Sequence, residues 1–225
     1  MSTSINISEK IAPATSTSVT MRASVLCGVE KLEVRDVQFP TVASHEVLVR
    51  VSAVGLCGTD AHIFAGHANY NADEYGQPIP FHVQPQILGH EISGIIEEVG
   101  GEVFDLKGGD RVVVDQGLNC KSLRRTNLCE YCRTGDSHQC EFYAEHGITG
   151  LPGGLADFIS VPAVNAVPLR SEIDMTAAAM VEPLGCIIHS ADAVIRAQAR
   201  YQLNGASASP RVRSALICGA GPAGL

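Results

Sequence analysis

The 225-residue sequence contains no apolar run of the about 18 residues that a membrane-spanning helix requires. Its N-terminus also lacks the apolar core of a secretory signal peptide. Positive charge is in deficit, because 16 Lys and Arg stand against 24 Asp and Glu and give a net charge of -8. A nucleic-acid partner would require a clustered basic face. These absences predict a cytoplasmic protein that partners neither membrane nor nucleic acid.

The first residues of the chain have little apolar periodicity and are rich in Ser and Thr, which predicts a flexible leader over 1–20. This segment has no arginine and carries Glu9, so a transit peptide is disfavoured. The whole chain is 45% hydrophobic and 18% charged, as expected of a globular protein with a sizeable core.

Alternating apolar residues from Met21 onward predict a mainly β fold with short helices. Strands are expected at 22–26, 32–37, 46–54 and 91–99, and again after the turn at 107–110. A short helix should follow the third strand, with Thr59 or Asp60 as its N-cap. Near the C-terminus, one helix capped by Thr176 and a second from Leu184 onward are expected.

Four of the eight cysteines form a cluster, while the other four are scattered. Without a signal peptide, disulfides are disfavoured, and a CxxC pair is the arrangement that tetrahedral zinc uses. Four thiolates leave no open position on the metal, which is typical of a structural site. The sequence therefore predicts a structural zinc site at Cys120, Cys129, Cys132 and Cys140. The alternative is that these are surface cysteines without a function.

A second metal site is suggested by Gly89-His90-Glu91. Imidazole and carboxylate are ligands that a catalytic zinc accepts while keeping one position open for substrate. Cys57 lies just before a predicted helix, whose dipole would favour the thiolate. Taken singly, an adjacent His and Glu can be a chance strand end, and a lone cysteine can be a buried inert residue.

The last residues contain an apolar stretch followed by Gly219, Gly221 and Gly224 in the G-x-G-x-x-G pattern. Where this pattern follows a strand, it is the fingerprint of a dinucleotide-binding site. The helix, second strand and acidic residue that would complete such a site do not follow in this sequence. The chain is therefore interpreted as a fragment or a truncated gene product.

Several ordered motifs resemble the zinc-dependent medium-chain alcohol and polyol dehydrogenases, the group that contains sorbitol and threonine dehydrogenases. The resemblance covers about residues 21–225. It implies a GroES-like β-barrel catalytic domain over 21–213 and, over 214–225, only the first strand and Gly-rich turn of an NAD(P)-binding Rossmann domain. The motifs are Gly55-Leu56-Cys57-Gly58-Thr59-Asp60-x-His62, Gly89-His90-Glu91-x2-Gly94-x5-Gly100, Gly109-Asp110-Arg111-Val112, Gly153-Gly154-Leu155-Ala156-Asp157-Phe158, Val161-Pro162 and Glu182-Pro183-Leu184.

The resemblance also implies roles for individual residues. Cys57, His90 and a glutamate would hold the catalytic zinc, with Glu91 and Glu182 both open as the carboxylate. Asp60 would orient His90 from outside the ligand shell. Thr59 and His62 would relay the substrate proton to solvent, and the Gly-rich turn would bind the cofactor.

The cysteine cluster departs from the family pattern, which usually reads C-x2-C-x2-C-x7-C. Here the eight residues Lys121 to Leu128 separate Cys120 from Cys129. A longer loop can still return Cys120 to the metal, because added loop length costs little entropy. The departure from the family pattern therefore concerns mainly Cys120.

The function implied by the resemblance is zinc-dependent hydride transfer from a secondary alcohol or polyol to NAD or NADP. The substrate would be a small molecule, and the full-length form would be an oligomer, as is common in the family. With an incomplete cofactor site, the chain alone is expected to show little or no dehydrogenase activity. There are two alternatives. The first is a non-catalytic zinc-stabilised GroES-like module, and the second, which the sequence favours less, is a zinc hydrolase.

Overall fold

The computed structural model describes residues 19–170, 172–196, 216 and 221, and those residues form a mainly β fold, as predicted. Two 3-10 turns, Ser137–Gln139 and Ala163–Asn165, accompany the regular elements. Those elements are β1 Thr20–Gly28, β2 Lys31–Gln38, β3 Glu46–Gly55, α1 Gly58–Phe64, β4 Gln86–Ile87, β5 Glu91–Val99, β6 Arg111–Val114, β7 Gly117–Leu118, α2 Glu130–Thr134, β8 Ala144–Glu145, β9 Phe158–Pro162, β10 Ala166–Pro168, α3 Met175–Ala179 and α4 Val181–Arg196.

The main body is a five-stranded antiparallel sheet in the order β10-β6-β5-β3-β9. The register between β3 and β5 shifts twice, between Leu48 and Val49 and between Val51 and Ala53. Such bulges bend a strand and increase its twist, so they curl the sheet around its apolar face. That face forms the main core, in which the most deeply buried side chains are Val47, Val49, Ile92, Ile96, Val112 and Val161.

A second sheet, β2-β1-β4, places the His90 segment against the main body. β4 pairs with β1 through Val25 and Ile87 and leads directly into Gly89-His90. Leu155 ties the two layers together, because its carbonyl accepts from Ser24 N (2.8 Å) and its own N–H donates to Leu88 O (3.0 Å). The segment before β5 is therefore held on both sides by backbone hydrogen bonds.

The helix caps differ from those predicted. Cys57, and neither Thr59 nor Asp60, is the N-cap of α1, and Asp60 instead occupies the third helical position. Asp174, and not Thr176, caps α3, since its carboxylate accepts from the backbone N–H groups of Thr176 and Ala177. A carboxylate placed before the first turn can accept both of these N–H groups, whereas a threonine within the turn cannot.

The helix α4 begins at Val181, three residues before the predicted start at Leu184, and has 16 residues. Pro183 lies within its first turn, where a missing N–H costs no hydrogen bond. Among the described residues, no helix combines the length and the apolar character that crossing a bilayer would need.

Part of the sequence interpretation falls outside the described residues. The leader predicted over 1–20 lies almost wholly there, since description begins at Val19. Gly219 and Gly224 of the dinucleotide pattern also lie outside, and Gly221 is described only as a bend. The proposed domain bounds therefore stay predictions.

Candidate functional site

Cys57 follows β3 and begins α1, where a capping box fixes it. The Asp60 carboxylate accepts a hydrogen bond from Cys57 N at 2.9 Å, so a side chain in the first helical turn binds the backbone of the N-cap residue. The Cys57 thiol lies 3.7 Å from Thr59 Oγ1. A half-buried hydroxyl is thus positioned directly beside the sulfur atom.

Asp60 also reaches the segment that carries His90. Its second carboxylate oxygen accepts from Gly89 N at 3.0 Å and lies 3.5 Å from His90 Nδ1. Burial acts to raise the pKa of Asp60, but His90 and the N–H groups of Cys57 and Gly89 outweigh it and lower that pKa. One ionised carboxylate therefore joins the two segments and occupies the Nδ1 side of the imidazole, which leaves Nε2 for a ligand.

The side chains of Cys57, His90 and Glu91 converge. One potential ligand atom from each lies within 4.8 Å of the others. Burial opposes the charge on His90, yet Asp60 and Cys57 raise its pKa to about 9. Burial, followed by the charge of Glu182, raises the pKa of Glu91. Sulfur, imidazole nitrogen and carboxylate oxygen are the donors that a zinc ion with an open position takes, so this group fits zinc.

Glycines make room for the site, and this requirement was not recognised from the sequence. A Cβ at Gly55 would lie 1.9 Å from Glu91 Oε2 in the neighbouring strand. Gly89 has φ +89° and accepts a hydrogen bond from Gly154 N (2.8 Å). A Cβ at Gly153 would lie 2.3 Å from Leu88 O, in contact with backbone alone. The glycine pair near residue 153 was visible in the sequence, but its packing partner was not.

We expect Gly153→Ala to destabilise the protein by about 1–3 kcal/mol, because the added methyl group would overlap the Leu88 carbonyl that precedes His90. Gly101→Ala is the matched control, since no heavy atom lies within 4 Å of a Cβ built there, and it should change stability by less than about 0.5 kcal/mol. Urea unfolding of both variants measures the difference. Equal midpoints would show that the backbone around Leu88 yields freely.

Glu182 lies in the first turn of α4, close to the Cys57 group but not within it. Among the described residues, the group of converging ligand atoms contains Glu91 and not Glu182. Glu182 Oε1 instead accepts from Gln116 Nε2 at 2.9 Å and lies 3.6 Å from Cys186 Sγ. Of the two predicted carboxylates, the structure brings Glu91 to Cys57 and His90 and holds Glu182 beside them.

The four clustered cysteines form a separate, buried group. Their Sγ atoms all lie within 4.8 Å of one another. Cys140 Sγ is 3.7 Å from Cys120 Sγ and 3.8 Å from Cys129 Sγ. A disulfide would require about 2.05 Å. Four sulfurs around zinc, each with a bond of about 2.3 Å, form a tetrahedron with edges of about 3.8 Å. The spacing therefore fits a four-thiolate zinc site.

The inserted segment folds compactly and returns Cys120 to the group. Asn119 Oδ1 accepts from Lys121 N at 2.9 Å, and Arg125 N donates to Cys120 O at 2.9 Å. At the end of the segment, Cys129 N donates to Cys120 Sγ at 3.4 Å. A local turn thus closes the longer loop and brings Cys120 to the other three cysteines.

Backbone N–H groups point at the sulfurs of this cluster. Cys132 N donates to Cys129 Sγ at 3.5 Å, and Phe142 N donates to Cys140 Sγ at 3.3 Å. The N–H of Cys132, at the start of α2, lowers the pKa of Cys129 to about 6. Such donors stabilise thiolates, which are the form that binds metal.

His62 lies in the last turn of α1 and is exposed, with its ring 5.9 Å from that of His67. Thr59, on the same helix, faces the sulfur of Cys57. Of the two predicted relay residues, Thr59 thus lies at the Cys57 end of this short helix and His62 at its exposed end.

With this geometry, similarity to known proteins identifies the family. The model of the alcohol dehydrogenase GroES-like domain matches residues 43–171. The chain belongs to this family. The predicted resemblance to the zinc-dependent medium-chain alcohol and polyol dehydrogenases is confirmed, and with it the GroES-like β-barrel.

Individual relatives agree with this assignment. L-idonate 5-dehydrogenase of Vitis vinifera is 33% identical over 205 residues, which cover 90% of this chain and 48% of the relative. A cobalt- and zinc-bound thermostable alcohol dehydrogenase from Pyrobaculum aerophilum is 33% identical, with a TM-score of 0.59 over 73% of this chain and 45% of that one. An alcohol dehydrogenase from E. coli CFT073 complexed with NADH is 29% identical, with a TM-score of 0.63 over 75% and 44%. The chain spans about half the length of the curated relatives it matches.

Proposed function

We propose that the chain supplies the zinc-binding and substrate-binding part of an enzyme that oxidises a secondary alcohol or polyol with NAD or NADP. The observation that carries this proposal is the convergence of Cys57, His90 and Glu91 next to the Thr59 hydroxyl. Three protein ligands leave a fourth zinc position for a substrate oxygen. The named relatives, an idonate dehydrogenase and two alcohol dehydrogenases, support the substrate class.

In this proposal each residue has a defined task. Cys57, His90 and Glu91 would hold the metal, which when bound lowers the pKa of a coordinated hydroxyl. Thr59 Oγ1 would accept a hydrogen bond from the substrate hydroxyl and, as it takes up that proton, pass its own proton on, and His62 would release a proton to solvent from the exposed end of α1. Asp60 would keep the imidazole oriented through Nδ1.

Three features would support that centre. Glu182 would be a neighbouring carboxylate and not a ligand, since Gln116 holds one of its oxygens. The four-cysteine group would bind a structural zinc that fixes the conformation of its lobe. The dinucleotide would contact the glycines of the G-x-G-x-x-G pattern, Gly219, Gly221 and Gly224. The catalytic domain would cover 21–213, and the start of a Rossmann domain would cover 214–225. The NADH complex of the E. coli relative supports the cofactor class.

We also propose a cytoplasmic location and assembly into oligomers. The four-cysteine group requires cysteines that are not paired in disulfides, and such cysteines persist in a reducing compartment. Acidic net charge supports the expectation that nucleic acid is not a partner.

A non-catalytic zinc-stabilised module is the second candidate. Both groups of converging metal ligands lie in a chain that spans about half the length of its relatives. Metal binding by this chain therefore does not by itself imply catalytic turnover. A zinc hydrolase would use the same Cys57 group with water as nucleophile, but it would not account for a Gly-rich dinucleotide pattern.

The deciding experiment is a nicotinamide-reduction assay with the longest polypeptide that contains this chain, across secondary alcohols and polyols and with both NAD and NADP. We expect turnover that His90→Ala abolishes and Cys27→Ser preserves, because Cys27 is buried in a separate core cluster. Full zinc content without turnover would favour the non-catalytic module. Cofactor-independent ester hydrolysis would favour the hydrolase.

A further inference from the structure

The carboxylate of Glu182 lies at the edge of the Cys57 group without joining it. Its Oε1 accepts from Gln116 Nε2 at 2.9 Å and lies 3.6 Å from the sulfur of Cys186. Glu182 is near enough to Glu91 for its charge to help raise the pKa of Glu91. Zinc accepts carboxylate ligands, so a further carboxylate lies beside a site that already has three protein donors.

The fold keeps the start of α4 near β5. Ser93 Oγ, two residues after Glu91 on β5, donates to Met175 O at 2.6 Å. Met175 begins α3, and α4 follows the end of α3 after a single residue. A glutamate side chain rotates about three bonds, so its direction depends on the hydrogen bonds that it makes. The backbone thus places Glu182 beside Glu91, and its hydrogen-bond partner decides where the carboxylate lies.

Gln116 is a rigidly held partner. Its carbonyl accepts from His146 N at 3.0 Å, and the neighbouring Gly117 O accepts from Asn165 Nδ2 at 2.8 Å. Gly117 also packs against Tyr143, since a Cβ built at Gly117 would lie 2.6 Å from the Tyr143 hydroxyl oxygen. Gln116 is only 9% exposed. Its side-chain amide is therefore a fixed donor and not a mobile surface group.

We propose that Gln116 is a positioning residue that holds the Glu182 carboxylate out of the fourth coordination position at the Cys57 group. That position then stays open for a substrate oxygen. The inference rests on the proposed function, in which a substrate oxygen takes this position. Without the hydrogen bond from Gln116, Glu182 would compete for the position as an intramolecular ligand, at an effective concentration on the order of millimolar.

The test uses protein produced with Co²⁺ in place of zinc, and thiocyanate as the probe for the open position. The visible absorption of bound Co²⁺ changes when an added anion enters its ligand shell, whereas a closed four-thiolate site has no position for the anion. Gln116→Met keeps the length of the side chain and removes the donor. We expect it to weaken thiocyanate binding about tenfold or more. Adding Glu182→Gln to this variant should restore binding, because an amide is a weaker metal ligand than a carboxylate.

Gln77→Met is the matched control, since it removes an exposed glutamine outside both groups of converging metal ligands and should bind thiocyanate as the parent does. His90→Ala should abolish the anion-dependent change in absorption, which assigns that change to the Cys57 group.

Three results would overturn the positioning role. Equal thiocyanate affinity of Gln116→Met and the parent would overturn it and leave the proposed function standing. Weakened binding that the added Glu182→Gln does not restore would do the same, since the effect would then not come from Glu182. A parent without any anion-dependent change in absorption would contradict an open metal position, and with it both the positioning role and the proposed function.

Discussion

Replacing His90 with alanine is expected to remove one of two bound zinc ions and to leave the other in place. The imidazole is one of three converging donors in the Cys57 group, and it has no part in the four-cysteine group. Two remaining donors, a half-buried thiol and a buried carboxylate, should not hold the ion against a chelator. Metal analysis after desalting measures the zinc content of parent and variant.

The matched control is His82→Ala, which removes an exposed histidine outside both groups and should leave two zinc ions. The same measurement ranks the two carboxylates, since Glu91→Gln should lower the affinity of this zinc more than Glu182→Gln does. Glu91 converges with Cys57 and His90, whereas Glu182 is hydrogen-bonded to Gln116. Loss of both ions from His90→Ala, or of neither, would contradict two separate sites.

The sequence predicted best those features that depend on local spacing. The strands at 20–28, 31–38 and 46–55 were each expected to within two residues, because alternation of apolar residues is a local property. Cys129, Cys132 and Cys140 meet as expected, since the CxxC pair and the turn that follows it are short. Helix caps were predicted less well, because several side chains that can accept a backbone N–H lie near each helix start. The caps are Cys57 and Asp174, where the sequence favoured Thr59 or Asp60 and Thr176.

Features that depend on distant packing could not be derived from the chain alone. The ranking of Glu91 over Glu182 follows from where α4 lies against β5 and Gln116, which no local pattern encodes. The crowding of Gly153 against Leu88 likewise joins residues far apart in sequence. The link that Asp60 makes between Cys57 and Gly89 likewise joins two segments that are distant in sequence.

Replacing Cys120 with serine is expected to eliminate the structural zinc and to unfold the cysteine lobe locally. Cys120 is fully buried, and its sulfur lies 3.7 Å from that of Cys140, so a serine there would leave three thiolates around an incomplete site. Structural zinc contributes folding free energy of about 10–16 kcal/mol in small zinc domains, and loss of one ligand forfeits a large part of it. Zinc analysis should fall from two ions to one, with the His90-dependent ion retained.

Local unfolding should appear as faster amide hydrogen exchange across residues 119–143, while exchange in β3 and β5 stays slow because their core does not include the lobe. Cys27→Ser is the matched control, since it changes another buried thiol that lies in the β1 core and outside both metal groups. That variant should retain two zinc ions and slow exchange in the lobe. Retention of both ions by Cys120→Ser would mean that the inserted loop brings Cys120 close without making it a ligand, and that three cysteines suffice.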